Sequence, residues 1–292
     1  MAGPHLRNQL RGLILVLVGA SIFFTSQSIQ PAELGPELES RGFDSLWLPE
    51  HSYLPVAQQR ELGEQRLPER YEIVYDAFTA LAAVAPVTTR ILLGTAVTLI
   101  GIRDPLWTAK ATATIDRLSN GRFVLGVGYG WRRREFENHG VPFEQRRAIA
   151  REKLLMIKSL WTDEVPAFDG SHLRLPPTQQ GPKPVQRPHP PIHIGAGLGP
   201  RTLSDLVELA NGWLPLSRYQ VTAAQIREVQ RAATEHGREP FEITAYLQHT
   251  ELDRIEEMEQ IGCDRVVLRL PTAPAPALIR RLDEIAEVGI RT

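Results

Sequence analysis

Two glycine-rich segments that carry arginines have the residue types of an anion-binding site. The first, Gly195 to Arg201, follows a short apolar run and contains Pro200, which favours the first turn of a helix. Small residues expose backbone N–H groups, the helix dipole adds positive potential, and Arg201 can fork onto phosphate oxygens. The segment therefore predicts a phosphate-binding loop, and a tight turn with an exposed arginine is the alternative. Its candidate residues are Gly195, Ala196, Gly197, Gly199 and Arg201.

The second segment follows the apolar run Phe123 to Val127, which predicts a strand buried on both faces. It reads Gly128, Tyr129, Gly130, Trp131 and then three arginines, 132 to 134. Small residues let a ligand approach the backbone, and the arginines could bind an anion. A glycine-rich strand end followed by a solvated arginine turn is the alternative.

Glu50 and His51 follow a third apolar run, Phe43 to Leu48. Imidazole titrates near neutral pH, so His51 could act as a general base or a hydrogen-bond donor, although a lone histidine can also be structural. His189 and His193 are four residues apart in a proline-rich extended segment, where that spacing does not put both on one face, so no metal site is predicted. The single cysteine, Cys263, excludes an internal disulfide and indicates a reducing, cytoplasmic location.

Apolar strands and amphipathic helices alternate along the 292 residues about eight times, as in an α/β fold of the (β/α)8 (TIM) barrel type. An excursion after the fourth helix contains a hairpin signal at Asp169-Gly170 and a proline-rich stretch. A doubly wound open sheet is the alternative, but it would place Gly-x-Gly-x-x-Gly directly after the first strand, where this chain has Thr25-Ser-Gln-Ser. The barrel is favoured.

The first strand lies in an apolar run, Leu13 to Phe24, that follows basic residues and imitates a signal peptide. The run is too short to span a bilayer and passes directly into Thr25, so we interpret residues 1–17 as an extension and 18–292 as one barrel domain. Gly35-Pro36 is expected to kink or restart the first helix. The net charge of -1 predicts neither a nucleic-acid nor a membrane partner.

In a barrel the carboxyl ends of all strands meet at one mouth, so position alone selects further candidates. They are Thr25, Ser26, Glu50, His51, Thr95 to Thr98, Tyr129 to Arg134, Gly195 to Arg201, Ser217, Arg218, Gln248, His249 and Arg269.

The order and spacing of several segments resemble the luciferase-like monooxygenase superfamily, in particular its deazaflavin (coenzyme F420)-dependent oxidoreductases. The resemblance extends from about residue 18 to the end, and several such motifs together are specific. The segments are RGFDSLWLPEH (41–51), TTRILLGTAV (88–97), AKATATIDRLSNGRFVLGVGYGW (109–131), FDG (168–170), PKPVQRPHPPIHIGAG (182–197) and ANGWLP (210–215).

The resemblance implies a flavin-type ring across the barrel mouth, supported from behind at Ala96-Val97 by an often cis, non-prolyl peptide. It places Glu50 and His51 beside the ring as the catalytic residues, and it implies a homodimer. Together with the positions of the strand ends, it implies that a set of residues at the mouth binds the cofactor. These are Thr25, Ala96, Val97, Tyr129, Arg134, Gly195, Ala196, Gly197, Gly199 and Arg201. Sugar-phosphate-oxidising members carry an acid where this chain has Trp131 and an amide where it has Arg134, so their substrate is not transferred.

Three functions follow from the resemblance. Arginines 132 to 134 and Arg201 suit the phosphodiester and glutamates of the deazaflavin tail, which predicts hydride transfer between coenzyme F420 and a small organic substrate. An FMN monooxygenase fed by a separate reductase is the first alternative. A barrel that binds the cofactor without catalysis is the second.

Overall fold

The computed structural model describes residues 16–54, 68–248 and 253–287. Its strands are β1 (Leu17–Ser21), β2 (Ser45–Leu48), β3 (Leu92–Thr95), β4 (Thr98–Leu99), β5 (Phe123–Gly128), β6 (Phe168–Asp169), β7 (Arg174–Leu175), β8 (Ile192–Ile194), β9 (Gly212–Trp213), β10 (Glu242–Tyr246) and β11 (Arg265–Arg269). Its α-helices are α1 (Pro31–Ser40), α2 (Ala77–Val84), α3 (Pro105–Leu118), α4 (Arg133–Asn138), α5 (Arg146–Thr162), α6 (Pro200–Leu209), α7 (Ala223–Glu235), α8 (Asp253–Ile261) and α9 (Ala275–Glu287).

Parallel strands close into a barrel in the order β3, β2, β1, β11, β10, β9, β8, β5. Pairing of β3 with β5 at Leu93 and Phe123 closes the ring. β4 continues the line of β3 after a two-residue break at Ala96-Val97 and pairs with β5 again. Because β3 and β4 form one barrel strand, the barrel has eight, and the predicted (β/α)8 fold is confirmed.

Side-chain caps begin several of the outer helices. The Asp76 carboxylate accepts the Thr79 N–H at the start of α2, and Asp104 accepts the Trp107 N–H at the start of α3. Thr222 and Gln225 form a reciprocal capping box on α7. These caps fix where each strand-to-helix loop ends, and therefore where the loops over the barrel mouth must lie.

One local prediction was wrong. The first helix does not restart at Gly35-Pro36, because α1 is continuous and Gly35 lies against α2; a Cβ at that glycine would be 2.7 Å from Val84 and 2.8 Å from Thr88. The alternative interpretation of the arginines after β5 as a simple turn also differs from the structure, since Arg133 opens the short helix α4.

The predicted hairpin is confirmed by the antiparallel pair β6 and β7. It is attached to α5 through Glu152, whose carboxylate accepts the backbone N–H groups of Ser171, His172 and Leu173 at 2.8–2.9 Å. The excursion therefore packs on the barrel as part of the same unit.

Six buried side chains from different strands and strand ends form a small core inside the barrel, apart from the larger core between strands and helices. They are Trp47, Ala96, Val124, Leu214, Tyr246 and Val267. This layer fills the barrel below its carboxyl-end mouth, so a ligand must lie above it.

No helix in the three described ranges is long and apolar enough to cross a membrane. Residues 1–15 of the proposed N-terminal extension, most of the loop between Ser52 and Tyr71, and His249 lie outside the described residues. The domain boundary at residue 18 stays a prediction.

Candidate functional site

A cavity of about 230 Å³ opens at the carboxyl ends of the barrel strands. It is lined by Phe23, Pro49, Glu50, His51, Tyr71, Ala96, Val97, Leu99, Gly128, Tyr129, Gly130, Trp131, Gly195, Leu216, Ser217, Arg218, Tyr246, Gln248 and Arg269. Strand ends that are far apart in the sequence thus meet at one mouth, as predicted. The wall combines apolar and aromatic surface with a few polar groups, the composition expected of a small-molecule site.

Val97 forms one wall of the cavity, between two strands that carry glycine beside it. A Cβ on Gly128 would lie 2.4 Å from Val97 Cγ2, and a Cβ on Gly195 would lie 2.4 Å from Val97 Cγ1. Any larger residue at either glycine would displace the valine. The peptide bond between Ala96 and Val97 is cis, which confirms the expectation drawn from the resemblance. With glycine on both sides, Val97 thus presents its apolar side chain to the cavity, where a flat ring could contact it.

The predicted phosphate-binding loop runs from the end of β8 to the N-terminus of α6, beside this surface. Gly195 lines the cavity, and the carbonyl of Ala196 accepts the Trp213 indole N–H at 2.8 Å. Gly197 faces the Tyr219 ring, 2.9 Å from where a Cβ would stand. The guanidinium of Arg218 lies 4.9 Å from the centre of the same ring. A cation on the loop after β9 therefore lies next to the glycine loop after β8.

His51 is held by a carboxylate that the sequence analysis did not select. Its Nδ1 lies 3.4 Å from Oε2 of Glu135, which is buried in α4. Because a carboxylate can only accept, this contact places the imidazole hydrogen on Nδ1 and leaves Nε2 for a ligand. The Ser52 backbone N–H and hydroxyl both donate to Oε1 of Glu135 at 3.1 Å, and Ser52 Oγ lies 2.9 Å from His139 Nε2.

Burial, the largest influence on Glu135, would raise the pKa of its carboxyl. The hydrogen bonds from His51 and Ser52 outweigh burial, and the pKa lies below its ordinary value. Glu135 is therefore ionised at neutral pH and a lasting partner for the Nδ1–H of His51.

Glu50 is buried at the cavity wall and paired with Arg103, whose Nε donates to both carboxylate oxygens at 2.9 and 3.0 Å. Arg103 also donates to Asp76 at 2.6 Å. Burial raises the pKa of Glu50 more than the attraction of Arg103 lowers it. The carboxylate is thus engaged within the protein, and it supports the cavity wall next to His51.

Tyr129 closes the cavity beside Gly128, and its hydroxyl donates to Asp205 of α6. Burial raises the pKa of Tyr129 to about 12, so the phenol stays protonated and can donate. Arg147 lies 4.1 Å from the centre of the Tyr129 ring and donates to the same carboxylate. This cluster ties the cavity wall to the helix that follows the glycine loop.

Half of the predicted site residues line the cavity, namely Glu50, His51, Ala96, Val97, Tyr129 and Gly195. Ala196, Gly197, Gly199 and Arg201 lie just beyond it, where Arg201 is exposed on the first turn of α6. Thr25 is buried in a turn after β1, where its hydroxyl accepts the Gln27 N–H at 3.1 Å. Arg134 is exposed on α4. Neither of these last two lines the cavity, and their roles stay predictions.

The arginines that follow Trp131 have several different surroundings. Arg132 is buried with its guanidinium 4.3 Å from the centre of the Trp131 ring. Arg133 is paired with Glu137 and Glu144. The functional residues that the sequence analysis missed are Glu135 and Arg103, for which no local pattern existed. The described residues contain no group of three or more His, Cys, Asp or Glu that could hold a metal ion.

The chain is similar over most of its length to proteins of one family. Residues 30–266 match the model of the luciferase-like monooxygenase family. An uncharacterised protein of Mycobacterium tuberculosis is 33% identical over 273 residues, 92% of this chain and 96% of that protein. Another protein of that organism, provisionally named a coenzyme F420-dependent oxidoreductase, is 33% identical over 196 residues, 59% of this chain and 54% of that protein.

Solved structures share the fold at low sequence identity. A monooxygenase from Streptomyces bottropensis superposes with a TM-score of 0.74 at 19% identity, over 93% of this chain and 98% of that one. The coenzyme F420-dependent tetrahydromethanopterin reductase of Methanopyrus kandleri superposes with a TM-score of 0.67 at 17% identity, over 95% and 99%. Together with the family match and the conserved length of the M. tuberculosis relative, these findings show that the chain belongs to the luciferase-like monooxygenase family of oxidoreductases.

Proposed function

We propose that the protein is a coenzyme F420-dependent oxidoreductase that transfers a hydride between this deazaflavin and a small organic substrate in the cavity. The observation that carries the proposal is the continuous path from the Val97 surface to the glycine loop before α6, with Arg218 beside it. A flat ring fits the first part and a phosphate fits the second. The residues present therefore fit a ring-bearing, phosphate-tailed cofactor.

Coenzyme F420, when bound, supplies a ring carbon that exchanges a hydride with substrate. The chain supplies orientation and proton handling. Val97 and its flanking glycines would hold the ring, and the Gly195 to Gly199 loop would hold the phosphate. His51 lines the cavity and is held at Nδ1 by Glu135, so its Nε2 would take the proton of a substrate hydroxyl as the hydride leaves the carbon, or return that proton in the reverse direction.

The choice of F420 over FMN rests on charge and on relatives. Arg201 and Arg218 lie near the phosphate end, where they suit the additional negative charges of the deazaflavin tail. The relative provisionally named for F420 supports the same choice. Arg133 does not contribute to this charge, because it is paired with Glu137 and Glu144.

The test is a fluorescence titration of the purified protein with coenzyme F420 and, separately, with FMN. We expect saturable F420 binding. Micromolar FMN binding with no response to F420 would overturn the choice of cofactor and favour an FMN monooxygenase fed by a separate reductase. Flavin-dependent oxygen consumption would identify that alternative. Unchanged hydride exchange in a His51→Ala variant would move the chemistry to another residue, whereas cofactor binding with no hydride exchange in the wild-type protein would favour a barrel without catalysis.

We also propose that the protein is a homodimer, in line with its family membership. Trp107, at the start of α3, is 72% exposed, and its neighbour Leu106 is also exposed, so the two side chains could contact a second copy of the chain. Light scattering after size-exclusion chromatography measures the mass directly. A monomeric mass at micromolar concentration would contradict the proposal.

A further inference from the structure

Two arginines of β11, four residues apart, point into the barrel at different depths. Residues alternate between the two faces of a strand, so Arg265, Val267 and Arg269 share one face, and Val267 belongs to the core inside the barrel. Arg265 is the deeper of the two arginines. Its Nε donates to Asp44 at 2.7 Å, and its Nη1 donates to Glu242. Its charge is therefore neutralised within the protein.

Arg269 ends β11 at the mouth, where it is half-buried and lines the cavity. Within the described ranges the structure records no hydrogen bond or ion pair for its guanidinium. Arg269 is close enough to Tyr246 to interact with it electrostatically. The Tyr246 hydroxyl donates to Ser21 Oγ at 3.0 Å, and Ser21 is the residue paired with Arg269 between β1 and β11.

Two carboxylates of the described residues near the cavity have partners other than Arg269. Glu50 is paired with Arg103, and Glu135 accepts from His51 and Ser52. A further cation, Arg70, packs 5.5 Å from the centre of the Phe23 ring and 5.6 Å from that of Tyr71, two lining residues. Arg70 and Arg269 thus place two cations on the side of the cavity near Phe23, Tyr71 and Tyr246. A half-buried charge without a partner is unfavourable, and an anionic ligand would remove that penalty.

The position of Arg269 in the barrel separates it from the cofactor's phosphate. The phosphate loop follows β8, and Arg218 follows the neighbouring strand β9, whereas β11 lies two strands further along, beyond β10. Arg218 is therefore placed to serve the cofactor and Arg269 to serve a second ligand. One guanidinium presents a planar pair of donors that matches one carboxylate in geometry and in charge.

We propose that the substrate is a compact organic carboxylate and that Arg269 binds its carboxylate group, an inference that rests on the proposed function. The negative group would be held at the β11 end of the cavity while the reacting carbon lies between the ring and His51. A substrate of this class bears a hydroxyl or carbonyl carbon within a few bonds of its carboxylate, since the cavity is only about 230 Å³.

The test compares two probes that share shape and differ in charge, benzoate and benzamide. Binding to the cofactor-loaded protein is followed by the absorbance of the bound cofactor, and binding to the cofactor-free protein by tryptophan fluorescence, because Trp131 lines the cavity. We expect benzoate to bind at least about tenfold more tightly than benzamide, with a preference that falls as salt is added. Equal binding of the two probes, or no benzoate binding at millimolar concentration, overturns the proposal without any variant.

Arg269→Gln is expected to abolish the preference for benzoate and to leave the affinity for the cofactor unchanged. Arg280→Gln, the same substitution at an exposed position of α9, is the matched control and should keep the preference. A preference that survives in Arg269→Gln overturns the proposal, and so does a loss of cofactor binding in that variant. If neither F420 nor FMN binds the wild-type protein but the Arg269-dependent preference persists without cofactor, the proposed function fails and the carboxylate site stands.

Discussion

The imidazole of His51 and the carboxylate of Glu135 lie 3.4 Å apart, although 84 residues separate them in the chain. Glu135 is on the short helix α4, in the loop region that follows β5. His51 lies three residues after the end of β2. The pairing fixes which ring nitrogen of His51 carries the hydrogen and which is left for the cavity. The His51–Glu135 pair thus connects the loops after β2 and β5 and could act in proton transfer.

The low pKa of Glu135 predicts a pH-dependent loss of stability. Below the unfolded pKa, near its ordinary value of 4.5, the unfolded chain takes up a proton that the native carboxylate binds less readily. The stabilisation from this group is therefore fully present above that value and is lost as the pH falls through the folded pKa. Glu135→Gln lacks this group, so the difference in free energy of unfolding between wild type and variant should shrink on acidification.

Urea denaturation at a series of values between about pH 7 and about pH 3 measures this difference. Glu137→Gln, the same substitution at an exposed position of the same helix α4, is the matched control. A difference that stays constant across the series would mean that the carboxylate of Glu135 is not preferentially ionised in the native state.

Arg218→Gln should weaken binding of cofactors that carry a phosphate. Because the guanidinium lies over Tyr219 beside Gly197, its loss removes one charge-assisted contact, and we expect about a tenfold lower affinity. Binding of the deazaflavin ring with its ribityl chain but without phosphate should not change. Arg227→Gln, at an exposed position of α7, is the control. Equal weakening of both compounds would place Arg218 at the ring instead of the phosphate.

The barrel and the rim of the site could be predicted because their signals are local. Continuous apolar runs such as Phe123 to Val127, and capped helices such as the one beginning at Pro105, are visible in a short window. Because the strands of a (β/α)8 barrel are parallel, their carboxyl ends then all lie at one mouth. The expectation of a cis bond at Ala96-Val97 came from the resemblance and not from any local pattern.

The pairings within the site could not be predicted, because they join side chains from loops whose approach depends on the complete fold. Nothing in the sequence near His51 indicates Glu135, and nothing near Glu50 indicates Arg103. The predicted interruption of α1 at Gly35-Pro36 was wrong for a related reason. Gly35 packs against Val84 of α2, which is about fifty residues later in the chain. Local propensity yields to tertiary packing in such cases.

Gly195→Ala should destabilise the protein through Val97. The new Cβ would lie 2.4 Å from Val97 Cγ1, and overpacking of this kind typically costs about 1–3 kcal/mol. Val97→Ala removes the clashing methyl group, so in the double variant the two losses should not add, with a coupling energy of about 1 kcal/mol. Gly199→Ala, where no atom lies within 4 Å of a Cβ, is the stability control. Additive losses in denaturant unfolding would mean that the backbone moves away and relieves the contact.

Arg103→Met should destabilise the protein at neutral pH by leaving Glu50 buried without its partner. The methionine keeps the apolar contact with Phe78, whose ring centre is 4.4 Å from the guanidinium, so the loss reports mainly on charge. Removing one member of a buried pair costs about 3–5 kcal/mol, and the partial exposure of Arg103 places the expected value at about 3 kcal/mol or below.

The sign of the pH dependence distinguishes this explanation from a loss of packing. Burial already raises the pKa of Glu50, and loss of Arg103 raises it further, so the native variant takes up a proton more readily than the unfolded chain. Its deficit in free energy of unfolding should therefore be largest above the raised pKa and shrink as the pH falls through it. The double variant Glu50→Gln, Arg103→Met should lose less than Arg103→Met at neutral pH and show no such recovery. A deficit that is the same at every pH, and the same in the double variant, would assign the loss to packing against Phe78 and not to the buried carboxylate.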